Sequence, residues 1–269
     1  MLPADSLEKI ICKGCDNMSY YGFSDTGNVR VNNEDSFFVK DISDSILASV
    51  VADGMGGHLG GKEASSYATG EFLKAIEKAS SFFSSYSDKQ IENFIKNTVI
   101  KINKAIYTKS KETSSLSGMG TTLVACIIYN DKYYIANVGD SRLYIKSNEL
   151  SQITKDHSYV SELLEMGAIT ENEAKNHPNK NVITRAVGAE MNVQPDIYIG
   201  KLNDDDTIII CTDGLTNMVS DEIISNVIAD EKEVTSITNK LIHLAKENGG
   251  TDNITVVAIK PYDGGESKL

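Results

Sequence analysis

The sequence contains no basic block of five or more residues, no Pro/Ser-rich linker, and no apolar run near the ~18 residues that a membrane span needs. Its 26 Lys and Arg stand against 38 Asp and Glu, a formal charge of −12. Affinity for a polyanion comes largely from Lys and Arg displacing counterions, so nucleic acid and an acidic membrane surface are disfavoured as partners. Residues 1–11 carry Asp5 and Glu8 and lack the apolar stretch of a secretory signal, so a soluble, cytoplasmic protein is expected. Proline and cysteine are scarce, four of each. Cys126 and Cys211 lie in apolar, strand-like runs and are expected to be reduced and buried. Cys12 and Cys15 form a lone CxxC, two thiolates where a structural zinc site wants four ligands. A bland N-terminal extension over 1–19 is therefore preferred to a metal or redox role. With 41% hydrophobic and 24% charged residues the rest reads as an ordinary globular chain, one domain over 20–262 followed by a short tail, 263–269.

Hydrophobic periodicity organises that domain. Residues 45–52 are short, apolar and partly β-branched, as a buried strand should be. Ala64, Ala68, Phe72, Ile76 and Ala79 recur at helical spacing from about Gly61, and Ile91, Ile95, Val99, Ile102 and Ile106 predict a second helix capped by Ser87. Residues 121–153 change period and read as an antiparallel meander with turns at Asn130-Asp131, Gly139-Asp140 and Ser147-Asn148. Over about 156–188 two short helices, the second opened by a capping box at Thr170-Glu173 and stopped by His177-Pro178, predict a small helical insertion. A strand at 207–212, helices from Ser220-Asp221 and around 237–245, and a closing strand at 254–259 complete an α+β layered sandwich.

Three apolar strands end or begin at an aspartate: Asp53 in Ala52-Asp53-Gly54-Met55-Gly56-Gly57-His58, Asp213 in Thr212-Asp213-Gly214, and Asp252 in Gly250-Thr251-Asp252-Asn253. One Asp-Gly is usually a turn. The glycines crowding after Asp53 suggest a backbone that something must approach closely. Strand ends in a packed sheet lie near one another, so these carboxylates, with Glu34-Asp35, can converge. Oxygen donors without a cysteine or histidine pair suit Mg²⁺ or Mn²⁺ rather than zinc, and so many carboxylates would repel one another without a divalent ion.

Those segments, together with Arg30-Val-Asn-Asn-Glu34-Asp35, Gly118-Met-Gly-Thr-Thr-Leu123, Asn137-Val-Gly-Asp-Ser-Arg142 and Thr154-Lys-Asp-His-Ser158, resemble in order the motifs of the metal-dependent Ser/Thr protein phosphatases of type 2C, the PPM family, in the wording of its bacterial branch. The resemblance runs from about Tyr20 to Lys260. It implies a central antiparallel β-sandwich flanked by pairs of α-helices, four layers in the order αββα, with a helical flap beside the active site. It implies two Mn²⁺ or Mg²⁺ ions. Asp53 would bridge both, the Gly54 carbonyl and the pair Glu34 and Asp35 would serve the second, Asp213 and Asp252 would complete the first, and Arg30 would hold the substrate phosphate. A water or hydroxide between the metals would attack phosphoserine or phosphothreonine without a phosphoenzyme. Expected partners are phosphorylated proteins, the targets of a Ser/Thr kinase, with the chain acting as a monomer.

Two departures stand out. Gly118 replaces an aspartate that binds a third metal in many relatives, so that site is either weakened or uses other ligands, with Asp213 remaining as one candidate. Met55 stands where animal enzymes carry a histidine, so the leaving-group acid is unassigned between His58 and a metal-bound water. Asp140 and Arg142 are equally readable as hairpin staples or as metal contacts, and His157 as an organiser of the insertion. Arg185 and residues 176–181 are candidates for phosphoprotein contacts, and Asp204-Asp205-Asp206 for a solvated turn. An Asp-nucleophile phosphatase is disfavoured because no Asp-x-Asp follows either strand, and the remaining alternative is a catalytically weak regulatory pseudophosphatase that binds phosphoproteins.

Overall fold

Two antiparallel sheets form the centre of the computed structural model, which describes residues 12–13, 18–57 and 59–261. In chain order the strands are β1 (Cys12–Lys13), β2 (Met18–Asp25), β3 (Ser36–Ser43), β4 (Ile46–Ala52), β5 (Gly54–Met55), β6 (Gly120–Thr121), β7 (Leu123–Tyr129), β8 (Lys132–Val138), β9 (Arg142–Lys146), β10 (Leu150–Gln152), β11 (Asp196–Lys201), β12 (Thr207–Cys211) and β13 (Ile254–Pro261). One sheet runs β1-β2-β13-β12-β9-β10, the other β11-β8-β7-β4-β3, and β5 pairs with β6 alone. The helices are α1 (Gly60–Ala79), α2 (Asp88–Glu112), α3 (Tyr159–Glu165), α4 (Glu171–Lys175), α5 (Asp213–Thr216), α6 (Asp221–Asp230) and α7 (Val234–Glu247).

A strand covered on both faces has no polar side, which is why β4 and β12 read as continuous apolar runs. Val51 of β4 packs with Ile208, Ile210 and Val257 between the sheets, while its neighbour Val50 faces Phe72, Ile95 and Val99 of α1 and α2. On the opposite side Ile209, Cys211 and Val256 meet Ile237, Leu241 and Ala245 of α7. Three apolar layers therefore separate four structural ones, helices, sheet, sheet, helices, and the α+β sandwich expected from the pattern is what forms. Cys126 and Cys211 are free and buried, and burial pushes both thiols up to about 12.

Local signals account for the helix ends. Gln90 Oε1 accepts from the Ser87 N–H at 2.9 Å at the start of α2, and Thr170 and Glu173 make the reciprocal pair that opens α4. Asn130 adopts φ +55° in the tight turn between β7 and β8. The expected meander, however, is split. β7 and β8 lie in one sheet and β9 and β10 in the other, because the chain crosses between layers at Gly139, whose φ of +111° favours glycine. Strands β2, β3 and β11 carried no clear sequence signal. β11 is a half-exposed edge, β3 is interrupted by an irregularity at Asp41/Ser43, and β2 mixes Ser, Gly and Tyr. The Asp204-Asp205-Asp206 run is not wholly solvated as expected. Asp206 is buried, its carboxylate accepting from the Ser147 hydroxyl and, at 2.8 Å, from the Asn203 N–H.

Candidate active site

The loop 26–35 leaves β2 in one sheet and enters β3 in the other, so whatever it carries lies across the end of the sandwich. It carries Arg30, Glu34 and Asp35. Ser36 pairs with Ala52, which sends Asp35 and Asp53 off the same sheet edge one residue beyond the pairing. In the second sheet Cys211 pairs with Val256 and Ile254 with Asp25, which brings Asp213 and Asp252 to that end as well.

Each carboxylate has its own anchorage. The Asp53 N–H donates to Thr122 Oγ1 at 2.9 Å, and its carbonyl accepts from the Thr122 N–H and the Thr121 hydroxyl, both at 2.8 Å. Asp213 opens α5, and its Oδ2 accepts from Asn217 Nδ2 at 2.9 Å. Asp252 Oδ1 accepts from the Asn253 N–H, and its Oδ2 accepts from Arg30 Nη2, each at 2.8 Å. Asn253 in turn accepts from the Glu34 N–H through Oδ1 and donates through Nδ2 to the carbonyls of Thr26 and Asn32, tying the 26–35 loop to the start of β13. Gly54 and Gly61 touch closely. A Cβ on Gly61 would collide with Glu34 Oε2 and one on Gly54 with the Gly61 and Glu34 carbonyls, so both must be glycine for Glu34 to lie against this turn.

The electrostatics are those of crowded acids. Burial, then the charges of Asp213 and Asp252, push Asp35 up to about 7 against two threonine hydrogen bonds. Burial followed by Asp35 and Asp213 raises Asp53 well above the usual carboxylate range. Asp213 is raised by burial and by Asp252, with hydrogen bonds from Asp53 and Asn217 opposing. Asp140 is pushed up to about 8 by burial, then by Asp213 and Asp156. Asp140 therefore shares the electrostatics of the acidic group, one of the two readings its Gly-Asp turn left open. Its motif partner Arg142 is a staple, binding Asp156 through Nε at 2.9 Å and Nη2 at 2.7 Å.

Among the described residues, no three His, Cys, Asp or Glu side chains are grouped so as to hold a metal ion as they stand. The donor set nevertheless fits one. Asp35 Oδ1 and Asp213 Oδ1 are buried oxygens without a hydrogen-bond partner, the donors are all oxygen, and the carboxylates repel one another in the way a divalent ion would relieve. His58 lies outside the described residues, as does Cys15. Gly118 sits at φ +77° with open space where its Cβ would be.

The insertion is fastened by a buried histidine. His157 Nδ1 accepts from the Gly139 N–H and its Nε2 meets Asp196 Oδ2, both at 3.1 Å, so the Nε2–H tautomer serves both contacts. Burial lowers its pKa. Arg185 is occupied at 2.9 Å by Asp196 Oδ1 and at 3.1 Å by the Gln194 carbonyl.

Known proteins share both sequence and shape with this chain. The family model described as protein phosphatase 2C matches residues 19–254. The serine/threonine phosphatase stp of Listeria monocytogenes is 38% identical over 238 residues, 88% of this chain and 93% of that protein. The crystal structure of the serine/threonine phosphatase Stp1 from Staphylococcus aureus superposes with a TM-score of 0.84 at 33% identity, covering 98% of this chain and 100% of that one. A catalytic domain of the phosphatase PstP, solved in complex with two manganese ions, superposes with a TM-score of 0.77 at 34% identity, over 92% of this chain and 99% of that one. On the extent of these matches, the chain belongs to the protein phosphatase 2C family.

Proposed function

We propose that this phosphoprotein phosphatase hydrolyses phosphoserine and phosphothreonine in proteins that a Ser/Thr kinase has modified, using two Mn²⁺ or Mg²⁺ ions. The observation that carries this reading is the gathering of Glu34, Asp35, Asp53, Asp213 and Asp252 at one end of the sandwich, with two buried carboxylate oxygens unpartnered and Arg30 at the rim. Asp53, the Gly54 carbonyl, Glu34, Asp35, Asp213 and Asp252 would hold the metals, which when bound supply an activated water and offset charge on the phosphoryl oxygens. Arg30, exposed and using one nitrogen on Asp252, has further N–H donors for a phosphate dianion that the acids alone would repel. Water oxygen bonds to phosphorus, the P–O ester bond breaks, and the leaving alkoxide takes a proton, for which His58 is the candidate donor from this chain. A regulatory pseudophosphatase is not favoured, since a binding module has no need of the full carboxylate set.

Hydrolysis of a phosphothreonine peptide, with Mn²⁺, with Mg²⁺ and with EDTA, tests the reading. Turnover should require the metal and be lost in Asp53→Asn. Turnover that survives EDTA or that substitution would overturn the proposed roles.

A further inference from the structure

Asp35 is the most enclosed acid of the site, and its two oxygens are treated differently. Oδ2 accepts from Thr255 Oγ1 at 2.6 Å and from Thr212 Oγ1 at 3.0 Å, whereas Oδ1 has no hydrogen-bond partner. The directions of these bonds follow from donor and acceptor capacity. Asp35 ionised, the form that takes a cation, only accepts, so both hydroxyl protons are then committed to it. Thr212 Oγ1 then uses a lone pair for the Thr255 N–H, at 3.0 Å. Thr255 Oγ1, its proton spent, accepts from Ser24 Oγ at 2.7 Å, and Ser24 accepts from Asn33 Nδ2 at 2.8 Å. Asn33 Oδ1 accepts the Asp35 N–H at 3.0 Å, which closes a ring through Asn33, Ser24, Thr255 and Asp35.

The composition of β13 sharpens the point. Thr255 is fully buried between Ile254 and Val256 in a strand that is otherwise apolar there, and a valine would fill the same volume with higher strand propensity. A hydroxyl at that position is accounted for by what it binds.

We infer that Thr212 and Thr255 are positioning residues for Asp35, filling its Oδ2 from two directions so that Oδ1 is the oxygen presented to a divalent cation. Neither threonine touches the reacting atoms. The inference rests on the metal-dependent reading of Asp35 proposed above, and outer partners of this kind typically shift metal affinity by about 10–100-fold.

Isothermal titration of the full chain with Mn²⁺, alongside the Mn²⁺-induced rise in melting temperature, tests it without recourse to turnover. Thr255→Val should weaken Mn²⁺ binding by about tenfold or more, and Thr255→Ser should restore it to within about twofold. If the threonine served only strand packing, Thr255→Val would bind Mn²⁺ as the wild type does, and that result overturns the inference. Asp35→Asn separates the two layers of argument. If it leaves Mn²⁺ binding unchanged, the metal role of Asp35 falls. If it abolishes binding while Thr255→Val does not weaken it, only the positioning role falls. Ser24→Ala, which touches neither Asp35 nor the other acids, carries the test should Thr255→Val fail to fold. It should weaken Mn²⁺ binding through the loss of the donor that orients Thr255, by less than the roughly tenfold expected of Thr255→Val, and a wild-type isotherm in the folded Ser24→Ala protein overturns the inference.

Discussion

Arg30 Nη2 lies 2.8 Å from Asp252 Oδ2, an ion pair between residues 222 positions apart. Both are partly exposed, so the pair adds little to stability. Arg30→Ala is expected to raise KM for a phosphothreonine peptide by about tenfold, more than it lowers kcat, with a melting temperature close to wild type. Steady-state kinetics decide this, and an unchanged KM would remove Arg30 from phosphate binding.

Divalent metal should stabilise the fold as well as activate it. A ligand at 100 times its dissociation constant adds about 2.7 kcal/mol, which for a chain of this size is a rise of several degrees in melting temperature. Differential scanning fluorimetry with Mn²⁺ and with EDTA measures it. The rise should shrink in Asp53→Asn, and equal melting temperatures with and without Mn²⁺ in the wild type would contradict the carboxylate assignment.

The raised acids give the metal-free protein an unusual pH response. Asp35 at about 7 and Asp140 at about 8, with Asp53 also raised, bind protons in the folded state that the unfolded chain has already released. Where the native state binds more protons, stability falls as pH rises, at about 1.4 kcal/mol per pH unit for each such group. In EDTA these three therefore contribute most below the ordinary carboxylate range, and their contribution is lost as pH climbs to about 8. Urea melts between pH 5 and 8 should show that decline, and saturating Mn²⁺ should flatten it. His157, lowered by burial, contributes an opposite slope below about pH 6.5, so the comparison is with Asp140→Asn, and a decline equally steep in that variant would refute the crowding of these acids.

Removing the acceptor of the buried His157 should loosen the insertion. Asp196→Ala leaves His157 Nε2 and Arg185 without their carboxylate partner, a loss of about 1–3 kcal/mol. Thermal melts read the loss, and limited proteolysis should then cut first between residues 159 and 185. A melting temperature equal to wild type would show that the contact holds nothing in place.

The sequence exposed some of this site and concealed the rest for physical reasons. Asp53, Asp213 and Asp252 were legible because each follows or precedes an apolar strand and is joined to glycines that pack backbone on backbone, as Gly54 does on Gly61 and Gly214 on the Asn253 carbonyl. Asp140 was only half legible, since a Gly-Asp turn reads alike at a surface hairpin and at a crossover between sheets. Thr212 and Thr255 left no mark, because a strand accommodates threonine anywhere and only the tertiary fold shows what its hydroxyl meets. Asp206 was misread for the same reason, its partner Ser147 being distant in sequence and adjacent in space. The layer order was readable from runs apolar on both faces, whereas the edge strand β11, with a neighbour on one side only, has no such run.

The pairing of β2 with β13 along eight residues, Met18 with Pro261 through Asp25 with Ile254, has a consequence for the life of the chain. The loop bearing Arg30, Glu34 and Asp35 hangs from the first of these strands, Thr255 lies in the second, and Asp252 stands two residues before that second strand begins. A chain in which β13 has not yet joined β2 lacks Thr255 beside Asp35 and the strand that sets Asp252 beside Arg30. Such contacts between distant ends form late in folding. The site therefore stays incomplete until β2 and β13 have paired, and a polypeptide cut short before residue 254 should lack activity.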